Sequence, residues 1–199
     1  MTLFDGLQLV GGHPALDFVN TVEYRAQPEP GDRLTSFGAL ARWSVAAGLI
    51  SQAEYANLFA SGFTRAPRAA RAFRSAIGLR EALYAVVVAR IRRTTCPHGA
   101  RRVVERRLRI ARAAAQLDYD AGKAAYFWHI PIRGTQDVAN RLAESANDLL
   151  LSLGRVAVRQ CGGPKCDWLF VDRSHGRRRL WCQPAKCGNI VRVRRSRAR

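Results

Sequence analysis

Lysine is nearly missing from this 199-residue chain: three of its 33 basic residues are lysine and the rest are arginine. Acidic residues are scarce as well, 15 in all, which leaves a formal net charge of +18. A surplus of that size argues for a polyanionic partner, most simply nucleic acid. Long apolar runs are also absent. The longest, residues 82–89, falls far short of the roughly 20 residues that span a bilayer, so no membrane segment is expected. Residues 1–6 carry no basic leader, and a reducing cytoplasmic setting is the expectation. Residues 1–154 hold no nucleophile–base or metal-ligand constellation, so no enzyme is expected. Internal repeats are missing too, and the basic tail is the single biased segment.

What the chain does have is concentrated at one end. Residues 155–199 hold 13 Lys and Arg against 2 Asp and Glu, a net +11, where residues 1–154 carry +7. A general preference for arginine explains the second figure and leaves the clustering unexplained. Four of the five cysteines lie in the same stretch, as Cys161-Gly-Gly-Pro-Lys-Cys166 and Cys182-Gln-Pro-Ala-Lys-Cys187. Each pair encloses four residues and fifteen separate the pairs. Two short Cys loops facing each other supply the four soft donors of a tetrahedral zinc ion. Disulfides would need an oxidising compartment. Between the pairs, residues 167–172 read as a strand, 173–176 as a turn and 177–181 as a returning strand. A four-Cys site leaves no open coordination position, so this Zn2+ is structural. His175, in the turn, and Cys96, beside His98 at a helix junction, are left out of it.

The pattern Cys161-x4-Cys166-x-Trp168-Leu169-Phe170-x-Asp172-x-Ser174-x-Gly176-Arg177-Arg178-Arg179-x-Trp181-Cys182-x4-Cys187-Gly188-Asn189 resembles the CGNR zinc-finger family of bacterial proteins. There the finger is the C-terminal module of transcription regulators. The stretch Gly12-His-Pro-Ala-Leu-Asp-Phe-Val-Asn-Thr21 is similar to the opening of the ABATE domain that these proteins share. The resemblance implies a domain over 1–155 and a finger with basic tail over 156–199. Two positions depart from the family: Ile190 and Leu180 stand where it has arginine. If those arginines touch nucleic acid in relatives, two contacts are lost here or moved to neighbouring arginines.

The fold expected is α+β: a mainly helical N-terminal domain with a small antiparallel sheet, then a four-Cys finger made of a β-hairpin and a short basic helix. Two strands around Gly11 and Gly12 are read from the alternation of Leu7, Leu9, Leu16 and Phe18. Together with residues 119–130 they form the sheet. Helices follow over about 35–48, with Thr35 or Ser36 as cap, and 51–60, opened by the capping box Ser51-Gln-Ala-Glu54. Further helices span about 67–93, burying Phe73, Ile77, Tyr84 and Val88, then 99–117 and 135–152. Asp120-Ala-Gly-Lys123 is a hairpin turn. The tail from Ile190 suits a strand or a helix, and the helix is preferred. Trp168, Phe170 and Trp181 are expected to form the finger's core; stacking on exposed bases is the other reading of them.

The leading functional reading is a DNA-binding transcription regulator whose N-terminal domain senses a ligand or mediates assembly. Candidate nucleic-acid residues are Arg177, Arg178, Arg179, Lys186, Asn189, Arg192, Arg194, Arg195 and Arg197. Asp17, Asn20 and Trp128 are read as bordering a small-molecule pocket, or Asp17 and Asn20 as capping a turn. An RNA-binding or ribosome-associated protein is the alternative, and an enzyme using Asp17, His129 or His13 comes last. Oligomeric state is not readable. The helical domain, with its own apolar stripes, is expected to stand when metal is removed.

Overall fold

The structure, a computed structural model, describes residues 3–25, 27–60 and 67–197. Its chain order opens with a tight hairpin, β1 (Leu3–Phe4) and β2 (Leu7–Gln8), followed by α1 (Pro14–Val19). A second short hairpin, β3 (Val22–Glu23) with β4 (Gly31–Asp32), leads into α2 (Phe37–Ala46) and α3 (Gln52–Ala60). Three long helices make the body: α4 (Arg68–Arg92), α5 (His98–Ala114) and α6 (Thr135–Ser152). Each packs on the other two. Between α5 and α6 stands the hairpin β5 (Gln116–Asp120) and β6 (Ala125–His129). The C-terminal part holds β7 (Val158–Gln160), β8 (Leu169–Val171) and α7 (Asn189–Arg197). The architecture is α+β, mainly helical, with small antiparallel sheets and a terminal four-Cys cluster that fits a zinc finger.

Local chemistry explains the helix starts. Ser36 Oγ accepts the Ala39 N–H at 3.2 Å, and Ser51 and Glu54 exchange the two bonds of a capping box at 3.1 and 2.7 Å. The core seam of α4 is Ala72, Ala76, Leu79, Leu83 and Val87. Phe73, Ile77 and Tyr84, expected in that seam, sit one notch off it and are half-buried. On α5 the stripe of Val104 and Ala111 also contains a buried arginine, Arg107, which donates to Asn140 Oδ1 at 2.9 Å.

Three expectations fail in placement. Residues 14–19 are a helix, not a strand: His13 Nδ1 accepts the Ala15 N–H at 3.2 Å, and Pro14 occupies the first turn, where a missing N–H costs nothing. Residues 15–19 are all buried, so the alternation of Leu16 and Phe18 carries no periodic signal. The strands near residues 3–8 and 116–129 do not join; each pairs within its own two-stranded sheet. The finger's hairpin lies one step earlier than expected, with β8 pairing back to β7 so that the first cysteine loop is its turn. Residues 177–181 are not a strand, because Asp172 folds them over. Its Oδ1 accepts from Ser174 and its Oδ2 accepts the Arg179 N–H at 2.9 Å.

No boundary in packing separates the two halves. Leu169 and Val171 of the finger lie in one apolar cluster with Ala15, Leu16, Val19, Leu83 and Val87. Leu7 and Val10 pack with Cys161, Trp168, Phe170 and Cys182. β8 is satisfied on one edge by β7. On the other, Val171 N–H donates to Gly11 O at 2.8 Å, and Asn20 bonds both backbone groups of Leu169. Among the described residues no helix is long and apolar enough to cross a membrane.

Candidate metal centre

Two loops bring the cysteines together. The first follows β7, where Cys161 and Cys166 flank Gly162-Gly163-Pro164-Lys165; Lys165 and Asp167 adopt left-handed backbone (φ 71° and 56°). The second begins at Trp181 and closes through a single turn, Pro184–Gly188, that runs directly into α7. All four Sγ atoms lie within 4.8 Å of one another. Cys166 Sγ stands 3.6 Å from Cys182 Sγ, which is 3.8 Å from Cys187 Sγ. A tetrahedron with metal–sulfur bonds of about 2.3 Å has edges near 3.8 Å, so the spacing fits a four-thiolate ion, and it is far too long for a disulfide. Cys161 Sγ also accepts the N–H of Cys182 at 3.3 Å and of Gly163 at 3.4 Å. Its contacts with the Cys166 and Cys182 thiols, then these N–H groups, hold the Cys161 thiol well below its usual range. The other three are pushed up, Cys166 and Cys182 chiefly by contact with Cys161 and Cys187 by burial. Four thiolates brought this close repel one another, a conflict that a dication resolves.

Gly163 is set by space. A Cβ there would lie 2.8 Å from Cys187 Cβ and 3.1 Å from its Sγ. Gly163→Ala therefore forces the two loops apart. Overpacking of this kind costs about 1–3 kcal/mol, so metal affinity should fall about tenfold or more in a chelator competition. Unchanged affinity would show that the loops approach more loosely than this.

Around the centre the apolar side chains face inward. Trp168 and Phe170 are buried, Trp181 is half-buried, and Trp168 Nε1 donates to Val22 O at 3.1 Å. The basic residues divide. The guanidinium of Arg179 sits over the Phe170 ring at 4.6 Å, donates to Trp181 O at 2.8 Å and also to Cys182 O. It braces the second cysteine loop, which takes it out of the expected nucleic-acid set. Arg159 pairs with the buried Asp172 at 3.1 Å. Burial raises the Asp172 carboxyl, but Ser174, the Arg179 N–H and Arg159 outweigh it and hold it below the usual range. Arg177 makes one long contact, 3.4 Å to Arg155 O. Arg178, Lys186, Arg192, Arg194, Arg195 and Arg197 are exposed, and among the described residues none of their side chains meets a carboxylate. Asn189 is exposed at the start of α7. Ile190 is exposed in part and lines a small cleft with Tyr24 and Trp168, and Leu180 is exposed.

Among the described residues Asp17, Asn20 and Trp128 do not line a common cleft. Asp17 is buried under residues 10–11, where its Oδ1 accepts the Gly11 N–H at 2.7 Å. Burial raises its carboxyl to about 6, against the pull of the Gly11 and Val10 N–H groups. Asn20 is spent on Leu169. Trp128 lies apart from both on β6, exposed, at the edge of a cleft lined by α5 and α6. Two residues that the sequence did not single out matter to the site: Arg173, which donates to Gly12 O at 3.0 Å, and Asp172. Asp172 was visible only as part of the motif.

Against known families, the model for ABATE, described as "Putative stress-induced transcription regulator", matches residues 12–153. The model for the CGNR zinc finger matches residues 157–199. No curated protein matches the chain.

Proposed function

Because the chain belongs to the ABATE family and ends in a CGNR zinc finger, we propose that it is a zinc-dependent regulator that binds DNA through the finger and its tail. Zinc is the ion because four thiolates in a closed tetrahedron select it over hard cations. Its work is to hold the two loops, so that α7 leaves the metal centre in a fixed direction. The N-terminal domain is the sensing or assembly part.

The observation that carries this reading is the set of exposed cations on the metal module that meet no carboxylate among the described residues. Arg101, Arg102 and Arg106 of α5 are likewise exposed with no carboxylate partner among the described residues, but other arginines of the N-terminal part are held: Arg80 to Asp32 at 2.6 Å, Arg141 to Glu54 at 2.5 Å and Arg25 to Glu81 at 2.5 Å. By contrast, on α7 Arg192 with Arg195, and Arg194 with Arg197, are neighbours three residues apart, so arginine lies on both sides of the helix. Among the described residues no carboxylate neutralises them, which suits phosphates. Since the finger's aromatics face its own core, it offers no platform for stacking on unpaired bases; this favours duplex DNA over single strands or RNA.

The test is fluorescence anisotropy of the full-length, zinc-loaded chain on duplex DNA, single-stranded DNA and RNA over a salt series. With Arg179 withdrawn, about four phosphate contacts give a slope of log affinity on log salt near −3.6 for the duplex. Replacing Arg192, Arg194, Arg195 and Arg197 by Gln should remove most of that slope and leave the zinc content unchanged. If the chain holds zinc yet binds none of the three at low salt, the finger is a protein-contact module instead.

A further inference from the structure

A cleft of about 450 Å3 opens between α5, α6 and the β5–β6 hairpin, well within the size that holds a ligand of a few fused rings. Leu108, Ala111, Ala115 and Ile130 form its apolar floor. Trp128 stands at the edge, 64% exposed, its ring available on an otherwise solvent-facing hairpin. The polar side is Glu144 and Asp148, one helical turn apart on α6. A second hollow, about 330 Å3, shares Trp128, Ile130 and both carboxylates and reaches to His13.

These carboxylates are the unusual feature. Among the described residues most other acidic groups of this arginine-rich chain are ion-paired or hydrogen-bonded, whereas neither Glu144 nor Asp148 makes a hydrogen bond or ion pair. Four groups of opposite sign or titratable character face them. Arg141 is committed to Glu54, Leu49 O and Ile130 O. Arg112 turns to Asn147 Oδ1 at 3.4 Å. His13 spends Nδ1 on the cap of α1, and burial foremost lowers its pKa. His129 lies beside Glu144, its Nδ1 buried and without a partner. The lining keeps two carboxylates against two arginines engaged elsewhere, and burial, then Asp148, raises the Glu144 carboxyl.

We propose that this cleft binds a flat organic cation, its rings against Trp128 and the apolar floor and its positive charge between Glu144 and Asp148. An aromatic face and a carboxylate pair recognise the same ligand twice, through the ring quadrupole and through charge. On a chain of net charge +18 a cation is repelled from most other surfaces, so the cleft is a selective place for one. The inference deepens the sensing part of the proposed function, and its test involves no nucleic acid, so either can fail alone.

Isothermal titration of the zinc-loaded full chain with 9-aminoacridine, a planar monocation at neutral pH, tests it. One equivalent should bind per chain, with neutral acridine at least tenfold weaker and the anion 8-anilinonaphthalene-1-sulfonate weaker still. Glu144→Gln with Asp148→Asn should weaken the cation at least tenfold without lowering the melting midpoint, because like charges a turn apart are removed. Ala115→Leu, which fills the floor, should block all three probes. The proposal is overturned if the wild-type chain takes up no 9-aminoacridine. It is equally overturned if acridine binds as well as the cation, if the double variant binds unchanged, or if the anion is preferred, in which case Arg112 governs the cleft.

Discussion

Withdrawing the metal, by chelation or by Cys182→Ser, is expected to unfold the finger and loosen residues 7–22 with it. Metal binding contributes about 10–16 kcal/mol in small four-ligand fingers, more than a module of this size gains from its own core. The sequence alone suggests that the N-terminal domain would survive whole. The structure divides it differently. Leu7 and Val10 pack on Cys161, Trp168 and Phe170, and the Gly11 carbonyl and the Asn20 side chain are bonded to β8. Once the cysteine loops part, β8 loses its turn, and residues 7–22 lose one of the surfaces that cover them, keeping α1 against α4 and α6 only. The α4–α5–α6 body keeps its separate cluster around Leu40, Trp43, Leu79 and Leu142 and should remain helical. Amide hydrogen exchange of the apo chain reads this directly. Leu169, Phe170 and residues 11–20 should lose protection together while α4 and α6 retain it. Protection kept at Leu169 without metal would sink the dependence, and protection kept at 15–20 alone would sink the shared core.

The second large effect belongs to one side chain. Asn20 Nδ2 donates to Leu169 O and its Oδ1 accepts the Leu169 N–H, both at 2.8 Å, so the amide replaces a neighbouring strand on the open edge of β8. Asn20 is 3% exposed and Leu169 is fully buried, so water cannot substitute. Asn20→Ala strands two backbone groups in the interior at about 1–3 kcal/mol each, and a total near 2–4 kcal/mol is expected after partial relaxation. For a chain of this length that is a drop of about 4–16 °C in melting midpoint. Asn20→Asp tests the direction of the bonds. It keeps the acceptor, but it loses the donor and sets a carboxylate against the Leu169 carbonyl, so it should be no better than alanine. Midpoints of the zinc-loaded proteins decide. A midpoint equal to wild type in Asn20→Ala would mean that the clamp contributes nothing.

The sequence by itself determined whatever rests on neighbours along the chain. The two Cys-x4-Cys loops fix donor type and loop length, and Ser36 and the Ser51/Glu54 box fix two helix starts. The stripe of Val138, Leu142, Ala146 and Leu149 fixes α6, and the arginine-dense tail fixes where the unpaired charge lies. Tertiary structure decided what rests on partners far away. Whether residues 14–19 are strand or helix turned on a cap and on burial all round, which erases periodicity. Asn20 and Leu169 are 149 residues apart, so no local pattern marks Asn20 as a strand mimic instead of a pocket wall. The charge of Arg179 looks in the sequence like that of Arg178. Only the carbonyls of Trp181 and Cys182 and the ring of Phe170 separate a brace from a free cation. Spacing is a local property and survives in one dimension; the partner of a buried polar group is set by packing, and packing exists in three.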